Sequence, residues 1–247
     1  MVNIKNLKIA YLLPNLFTAG SMFLAVLAIV AASKGVFEKA FWFVVLSAIF
    51  DALDGRVARL TKTSSQFGKE FDSLADVVAF GVAPAFIFYF AAGEEFGRFG
   101  ILAAALFVIF GAVRLARFNV ISATTEPNVF IGLPIPAAAL FVVGATMLCI
   151  NYNGGEGAKL ALLIAAVIIA VLMVSNIRYP SFKQAHFQKS YFLRALIALI
   201  IVCSLFYLYQ TEFLALIALI YALVGPARAL WTIAQRKRKV RHNEQTD

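Results

Sequence analysis

Four aspartates between positions 51 and 76 are the residues of this sequence best suited to chemistry. Asp51 and Asp54 are three residues apart, Asp72 and Asp76 are four apart, and hydrophobic sequence flanks the stretch on both sides. A carboxylate at membrane depth costs about 2.5–3.5 kcal/mol on insertion scales, so its presence there indicates function. On an α-helix each pair lies on one face, and two helix ends that face each other would bring the four carboxylates together.

Their chemistry predicts a divalent-metal site. Carboxylate oxygens are ligands of hard cations such as Mg²⁺, Mn²⁺ and Ca²⁺. The stretch contains no histidine or cysteine, which argues against zinc. Gly55 and Ala58 share the face of the first aspartate pair, and Gly68 lies one turn before Asp72, so a bulky ligand could approach the backbone. Arg59 follows on the same side, where it can pair with a phosphate.

A helical hairpin with a solvated, charged turn is the alternative interpretation. In it the basic residues would be ordinary loop charges, namely Arg56, Arg59, Lys62 and Lys69. This alternative accounts for the basic residues taken singly, but it leaves four acids on two inward faces unexplained.

The order and spacing of these residues resemble the signature of the CDP-alcohol phosphatidyltransferase family. The matching positions are Asp51, Asp54, Gly55, Ala58, Arg59, Gly68, Asp72 and Asp76. The resemblance implies an enzyme that moves a phosphatidyl or similar group from a CDP-activated lipid to a hydroxyl and releases CMP. It also implies a homodimer, with two divalent cations, Mg²⁺ or Mn²⁺, on the four aspartates. Asp76 would in addition be the general base.

The resemblance further implies which residues contact the CDP-lipid. Beside Asp54 and the small and basic residues of the signature, it places nucleotide contacts at Asn15, Thr18 and Ser65. From the residues alone, Asn15 and Thr18 are equally well explained as helix caps. Ser65 belongs to a Ser/Thr-rich turn of a common kind, so its contact follows from the resemblance only.

Two later stretches narrow the acceptor. RLARFN at positions 114–119 and GLPIPAA at 132–138 resemble the phosphatidylserine synthase branch of the family. This implies L-serine as acceptor, with Arg114 and Arg117 as candidates for binding its carboxylate. The alternative for both arginines is a positively charged helix end on the cytosolic side. Glycerol phosphate, inositol phosphate or another alcohol stays open as the acceptor.

Other mechanisms and classes are less consistent with the sequence. Neither His186 nor His242 begins an H-x-K motif, so direct displacement is expected rather than a covalent histidine intermediate. A cation transporter would favour midplane carboxylates and internal repeats. The segment from Phe37 to Asp54 spans about 27 Å as a helix, against a core of about 30 Å, so the acids lie near one interface.

Composition predicts an all-α, polytopic membrane bundle. The chain is 62% hydrophobic with a mean hydropathy of +0.86. About eight spans are expected, at 12–32, 37–59, 68–92, 98–119, 135–152, 159–176, 192–209 and 212–231, with a kink at Pro84. They form one domain, 1–247, with a short interfacial helix at 1–10 and a basic tail at 232–247. Cys149 and Cys203 lie in apolar runs and are expected to pack there.

Charge distribution predicts the orientation. With eight spans, 18 of the 22 Lys and Arg residues lie on the side of both termini. The positive-inside rule then places both termini and the aspartates on the cytosolic side. The expected location of the protein is the cell (inner) membrane. The net charge of +9 reflects this bias, so membrane lipids rather than nucleic acid are the expected partners.

Overall fold

The protein is almost entirely helical where its structure is described. The structure is a computed structural model, and it describes residues 4–61, 65–121, 129–180 and 208–243. Its α-helices are α1 (Ile4–Ser33), α2 (Phe37–Thr61), α3 (Gln66–Asp76), α4 (Ala83–Ala91), α5 (Arg98–Ile121), α6 (Ile135–Asn151), α7 (Glu156–Val174) and α8 (Gln210–Asn243). Shorter elements are a π-helix (Val77–Val82), a 3₁₀ turn (Gly93–Phe96) and two strands, β1 (Val129–Ile131) and β2 (Arg178–Pro180).

Five stretches of the described residues are long and apolar enough to cross a membrane. They are Leu13–Ser33, Gln66–Ala91, Arg98–Val120, Glu156–Val174 and Gln210–Arg228. These helices indicate an integral membrane protein and confirm the helical class. They do not confirm a count of eight: α2 has charged residues near both ends, at 38–39 and 51–59, and α6 has only 17 residues. The predicted span at 192–209 lies, except for its last two residues, outside the described ranges.

At the N-terminus the structure has one helix where the sequence predicts an interfacial segment followed by a span. Helix α1 is continuous from Ile4 to Ser33 and passes through Pro14. No glycine or turn residue separates the two predicted parts, so the helical pattern is not interrupted. The predicted basic tail is likewise helical as far as Asn243, as the end of α8.

The third span departs from regular α-helix beside the aspartates. The π-helix begins directly after Asp76, and the amide of Ala83 donates to the carbonyl of Val78, five residues back. Pro84 follows and has no amide hydrogen to contribute to the α pattern. The predicted kink is therefore a π turn, a feature common near functional sites. The π-helix changes the direction in which Asp72 and Asp76 point relative to α4.

Helices α1 and α2 pack closely through two serines. The hydroxyl of Ser21 lies 2.8 Å from that of Ser47, and each hydroxyl also donates to the other residue's carbonyl, at 3.1 and 3.0 Å. Small residues and interhelical hydrogen bonds hold membrane helices together because lipid supplies no hydrophobic driving force. This contact fixes the part of α1 that carries Thr18 against the part of α2 that carries Asp54.

A short antiparallel ribbon joins the connections on either side of α6 and α7. Strand β1 pairs with β2, with Ile131 opposite Arg178 and Val129 opposite Pro180. The all-α prediction contains no such pairing. The ribbon is held by Arg117, whose terminal nitrogens donate to the carbonyls of Val174 at 3.0 Å and Ile131 at 3.1 Å.

Helix α8 packs against α6 where α6 has a glycine. A Cβ atom added to Gly144 would lie 2.9 Å from the Cβ of Ala215 and 3.0 Å from its Cα. We expect Gly144→Ala to lower the free energy of unfolding by about 1–3 kcal/mol, because the two backbones must separate. Thermal unfolding of purified protein in detergent measures this loss.

Gly157→Ala is the matched control for this prediction. Gly157 lies in the first turns of α7 with open space around it, so the added methyl group meets nothing. Equal melting temperatures for the two variants would contradict the close approach of α6 and α8.

Candidate active site

Three of the four aspartates, one from α2 and two from α3, meet at one point. One carboxylate oxygen from each of Asp51, Asp72 and Asp76 lies within 4.8 Å of the others. The carboxyl groups of Asp51 and Asp76 are within hydrogen-bonding distance of each other. The spacing thus brings residues from two helices to one point, as expected from their shared faces.

Asp54 lies next to this group and has its own partner. Its side chain is only 5% exposed and accepts a hydrogen bond of 2.6 Å from the hydroxyl of Thr18 on α1. It interacts electrostatically with both Asp51 and Asp72. The structure therefore groups three predicted metal ligands closely and places the fourth beside them, on the side that faces a cavity.

The donor set fits a hard divalent cation. Oδ1 of Asp72 is buried, and no hydrogen-bond partner for it exists among the described residues. Three neighbouring carboxylates with a buried, unpaired oxygen require a compensating charge. Oxygen-only ligands suit Mg²⁺ or Mn²⁺.

A cavity of about 210 Å³ adjoins the aspartates. All eight residues predicted to contact the CDP-lipid line it: Asn15, Thr18, Asp54, Gly55, Ala58, Arg59, Ser65 and Gly68. Asp72 also lines it, so the cavity opens onto the carboxylate group. One ligand could therefore reach both the aspartates and Arg59.

Gly68 keeps one wall of the cavity open. A Cβ at this position would lie 3.1 Å from Oγ of Ser65 and 3.3 Å from Oδ1 of Asn15. Ser65 caps α3, since its hydroxyl accepts a hydrogen bond of 3.0 Å from the amide of Gly68. The predicted ligand contact at Ser65 is thus also the residue that begins the helix carrying Asp72 and Asp76.

Arg114 is buried close to the aspartates. It is 6% exposed and interacts electrostatically with the carboxylate of Asp76, while its guanidinium lies 5.7 Å from the ring centre of Phe118. Its Nε has no hydrogen-bond partner among the described residues. A buried arginine with one unpaired donor beside the reacting group is suited to bind an anionic part of a substrate.

Arg117 has a different environment. Its terminal nitrogens donate to the carbonyls of Val174, Ile131 and Ser175, and one lies 3.3 Å from Oδ1 of Asn176. These contacts tie the end of α5 to the end of α7. The predicted contact between Arg117 and serine stays a prediction, and the guanidinium has a structural task in any case.

Three further residues near the site were not among the predicted ones. Lys69 lines the cavity, although from the sequence it was as well explained as a loop charge. Asn119 donates to the hydroxyl of Ser73 at 2.9 Å and so joins α5 to α3. Tyr221 of α8 interacts electrostatically with Arg114. The position next to Gly68 could have indicated Lys69, whereas no local pattern marks Tyr221.

Comparisons with known proteins agree with this geometry. Residues 11–174 match the family model described as CDP-alcohol phosphatidyltransferase. The chain is 50% identical, over 226 residues, to a CDP-diacylglycerol–serine O-phosphatidyltransferase of Helicobacter pylori. The aligned residues cover 91% of this chain and 94% of the relative. An equally named protein of Methanocaldococcus jannaschii is 36% identical over 83% of this chain and 91% of its own length.

A third relative has a related but different name. The archaetidylserine synthase of Methanothermobacter thermautotrophicus is 37% identical over 73% of this chain and 74% of its own length. The match to the family model includes every position of the aspartate signature and the cavity beside it. The chain therefore belongs to the CDP-alcohol phosphatidyltransferase family.

Proposed function

We propose that this protein transfers the phosphatidyl group of CDP-diacylglycerol to the hydroxyl of L-serine, giving phosphatidylserine and CMP. The relatives that match most of the chain's length have names that state this activity. The observation that carries the proposal is the cavity beside the carboxylates. It brings every predicted CDP-lipid contact to the edge of a buried group of acids.

The aspartates are the proposed ligands of two divalent cations, Mg²⁺ or Mn²⁺. Asp51, Asp72 and Asp76 offer oxygens within 4.8 Å of one another, and Asp54 lies at the cavity edge. Ions bound there would supply positive charge that offsets the negative charge developing on the departing CMP. The hydrogen bond from Thr18 orients Asp54 toward this task.

The cavity is the proposed site of the nucleotide and the pyrophosphate. Gly55, Ala58 and Gly68 leave room for the ligand to approach the backbone, and Arg59 provides a cation for a phosphate. Lys69 adds a second positive charge to the lining. Holding the donor in this way supplies a large part of the rate enhancement in phosphoryl transfer.

Asp76 is the proposed general base. Its carboxylate takes the proton from the serine hydroxyl, the hydroxyl oxygen forms a bond to the lipid-side phosphorus, and the bond to the CMP oxygen breaks. A carboxylate that binds a metal tightly is a poor base, so Asp76 should bind the metal more weakly than the other three aspartates do. Arg114, buried beside it, is placed to bind the serine carboxylate, and Arg117 to hold the adjoining chain in position.

Other alcohols of the family are the second candidate acceptors. A phosphorylated acceptor such as glycerol phosphate or inositol phosphate would need a denser group of cations near Asp76. In the described part of the chain, Arg114 interacts with Asp76, while Arg117, which lies near Arg114, already donates to backbone carbonyls. Comparing turnover with serine and with glycerol phosphate separates the two.

The first functional prediction concerns metal and Asp72. We expect EDTA to abolish serine-dependent CMP release from CDP-diacylglycerol, and Mg²⁺ or Mn²⁺ to restore it. Asp72→Asn should lower turnover by about 100-fold or more, because a neutral amide replaces a buried anionic ligand. CMP release by purified protein measures both effects.

Glu70→Gln is the control for Asp72→Asn. Glu70 lies on the same helix but is exposed and accepts a hydrogen bond from Gln66. Its variant should keep wild-type turnover. Full activity in EDTA, or equal effects of the two substitutions, would contradict a metal site on these aspartates.

A second prediction concerns Thr18. Thr18→Val removes the hydroxyl that donates to Asp54 but keeps the volume, so we expect KM for CDP-diacylglycerol to rise by about tenfold. KM for serine should change little, because the contact lies on the cavity side of the aspartates. Initial rates at varied concentrations of each substrate measure the two constants.

Thr146→Val is the matched control for this substitution. Thr146 is also buried and donates to the carbonyl of Val142 within α6, away from the aspartates. If both threonine variants alter KM for the lipid equally, the effect is one of general packing and the assignment of Thr18 fails.

The finer topology is also a proposal. Eight spans in one domain, with residues 1–10 near the interface and residues 232–247 as a basic tail, place both termini and the aspartates in the cytosol. A homodimer in the cell (inner) membrane is the proposed assembly. The excess of Lys and Arg on the side of the termini supports this orientation.

Cysteine labelling in intact cells tests the orientation. With Cys149 and Cys203 replaced by serine, a cysteine introduced at Gly155 should react with a membrane-impermeant maleimide. One introduced at Gln245 should react only after the cells are permeabilised. The reverse pattern would place the site on the outer side and contradict the proposal.

A further inference from the structure

An apolar groove runs along α2 and forms a cavity of about 390 Å³, within the range of about 300–1,000 Å³ that is usual for ligand pockets. Residues of α2 from Val45 to Arg56 line it, together with Leu140 of α6 and Leu214 of α8. Among the described residues, the lining of this groove and that of the cavity beside the aspartates have no member in common. The groove is therefore a second, separate cavity.

The groove lies on the face of α2 opposite to the aspartates. Its residues on α2 recur at intervals of three and four, as on one face of an α-helix. Arg56 follows Asp54 by two residues, which places it about 160° around the helix from that carboxylate. A ligand in the groove thus contacts the helix that carries Asp51 and Asp54 without entering the metal site.

Two alanines leave the space that forms the groove. Ala48 and Ala52 are one turn apart, and Ile49 and Leu53 beside them are 49% and 37% exposed. Apart from Arg56, every described side chain of the lining is apolar. Water finds no hydrogen-bond partner in such a space, and an empty space loses dispersion contacts. An acyl chain of the surrounding lipid has the chemistry that fills it.

Arg56 marks the end of the groove that lies near the membrane surface. Asp54 accepts a hydrogen bond from Thr18, so these two residues lie at the same depth. Thr18 is five residues, or about 8 Å, from the start of the apolar span Leu13–Ser33. Helices α1 and α2 run antiparallel, so Arg56 lies closer still to that start. Its side chain is exposed and long enough to reach the lipid headgroups.

The charge of Arg56 selects the headgroup. Among the described residues, no carboxylate pairs with its guanidinium. A cation at this depth attracts anionic lipids, and the planar fork of a guanidinium matches the oxygens of a phosphate. A cation at headgroup depth with an apolar groove leading away from it, into the membrane, has the layout of a phospholipid molecule.

We propose that this groove binds an anionic phospholipid of the leaflet in which the aspartates lie, with its phosphate on Arg56 and one acyl chain between α2, α6 and α8. The site is separate from that of the lipid donor, and binding requires neither CDP-diacylglycerol nor serine. The bound chain fills the space where the three helices meet. It thereby stabilises the packing of α2, whose opposite face carries Asp51 and Asp54.

Thermal unfolding of the purified, delipidated full-length protein in a non-ionic detergent tests the proposal, with phosphatidylglycerol as the probe. A ligand that binds the folded state raises Tm with its concentration, which yields an apparent Kd. We expect a smaller rise with phosphatidylcholine, whose ammonium group offsets its phosphate, and none with inorganic phosphate, which has no acyl chain. Arg56→Gln should raise the apparent Kd for phosphatidylglycerol by about tenfold, as for loss of a hydrogen bond to a charged group.

Ala52→Leu and Ala161→Leu form a matched pair that tests the groove itself. Ala52 lines the groove, whereas Ala161 lies at an exposed position of α7 and does not line it. Both substitutions add the same atoms to an exposed alanine. We expect Ala52→Leu to raise the apparent Kd for phosphatidylglycerol by about tenfold, because its side chain occupies the space of the acyl chain, and Ala161→Leu to keep the wild-type value.

Three results would overturn the proposal. The first is an apparent Kd that is the same in wild type, Arg56→Gln and Ala52→Leu. The second is a raised KM for CDP-diacylglycerol in both variants with unchanged binding of phosphatidylglycerol, which would assign the groove to the donor lipid. The third is loss of a dimer in Ala52→Leu with unchanged lipid binding, which would assign it to a second copy of the chain. Since unfolding needs no turnover, wild-type protein that releases CMP without serine would refute the proposed function alone.

Discussion

Mutual repulsion among carboxylates is the constraint on which this structure depends. Asp51, Asp72 and Asp76 present oxygens within 4.8 Å of one another in a bundle whose exterior faces lipid. Without a compensating cation, such a group would favour separation of α2 from α3. The helices must therefore be held together by contacts elsewhere, so that the acids stay close enough to share metal ions.

The contacts that hold the acids in place are of the kind expected in a membrane. A pair of serines joins α1 to α2, a glycine brings α6 against α8, and an arginine that donates to backbone carbonyls joins α5 to α7. None of these depends on excluding water from apolar surfaces, which offers little stabilisation between helices in lipid. Hydrogen bonds and close packing thus hold the helices together, whereas the aspartates need a compensating positive charge.

Sequence reasoning found the parts of the site that are close together along the chain. Spacing on α2 and α3 predicted that the aspartates would converge, and the resemblance to the family gave eight of the residues that line the cavity. Spacing could not show that Thr18, on another helix, would donate to Asp54 and set it slightly apart. That depends on how α1 and α2 pack, which no local pattern encodes.

The remaining differences also come from contacts between distant segments. Arg117 has the sequence environment of a cytosolic helix end, yet the acceptors of its hydrogen bonds are backbone carbonyls at the end of α7. Tyr221 lies in an ordinary apolar run, and only the packing of α8 on β2 brings it near Arg114. The π-helix is equally hidden, because Pro84 indicates a break but not its type.

The π-helix has a consequence for the length of the chain around Asp76. It contains one residue more than an α-helix would need to cover the same turn, so the aspartates and the buried helix after them are out of phase. Removing one residue from 77–82 would restore a regular helix and rotate Asp72 and Asp76 by about 100° relative to that helix. The number of residues in this segment is therefore fixed by the direction in which the carboxylates must point.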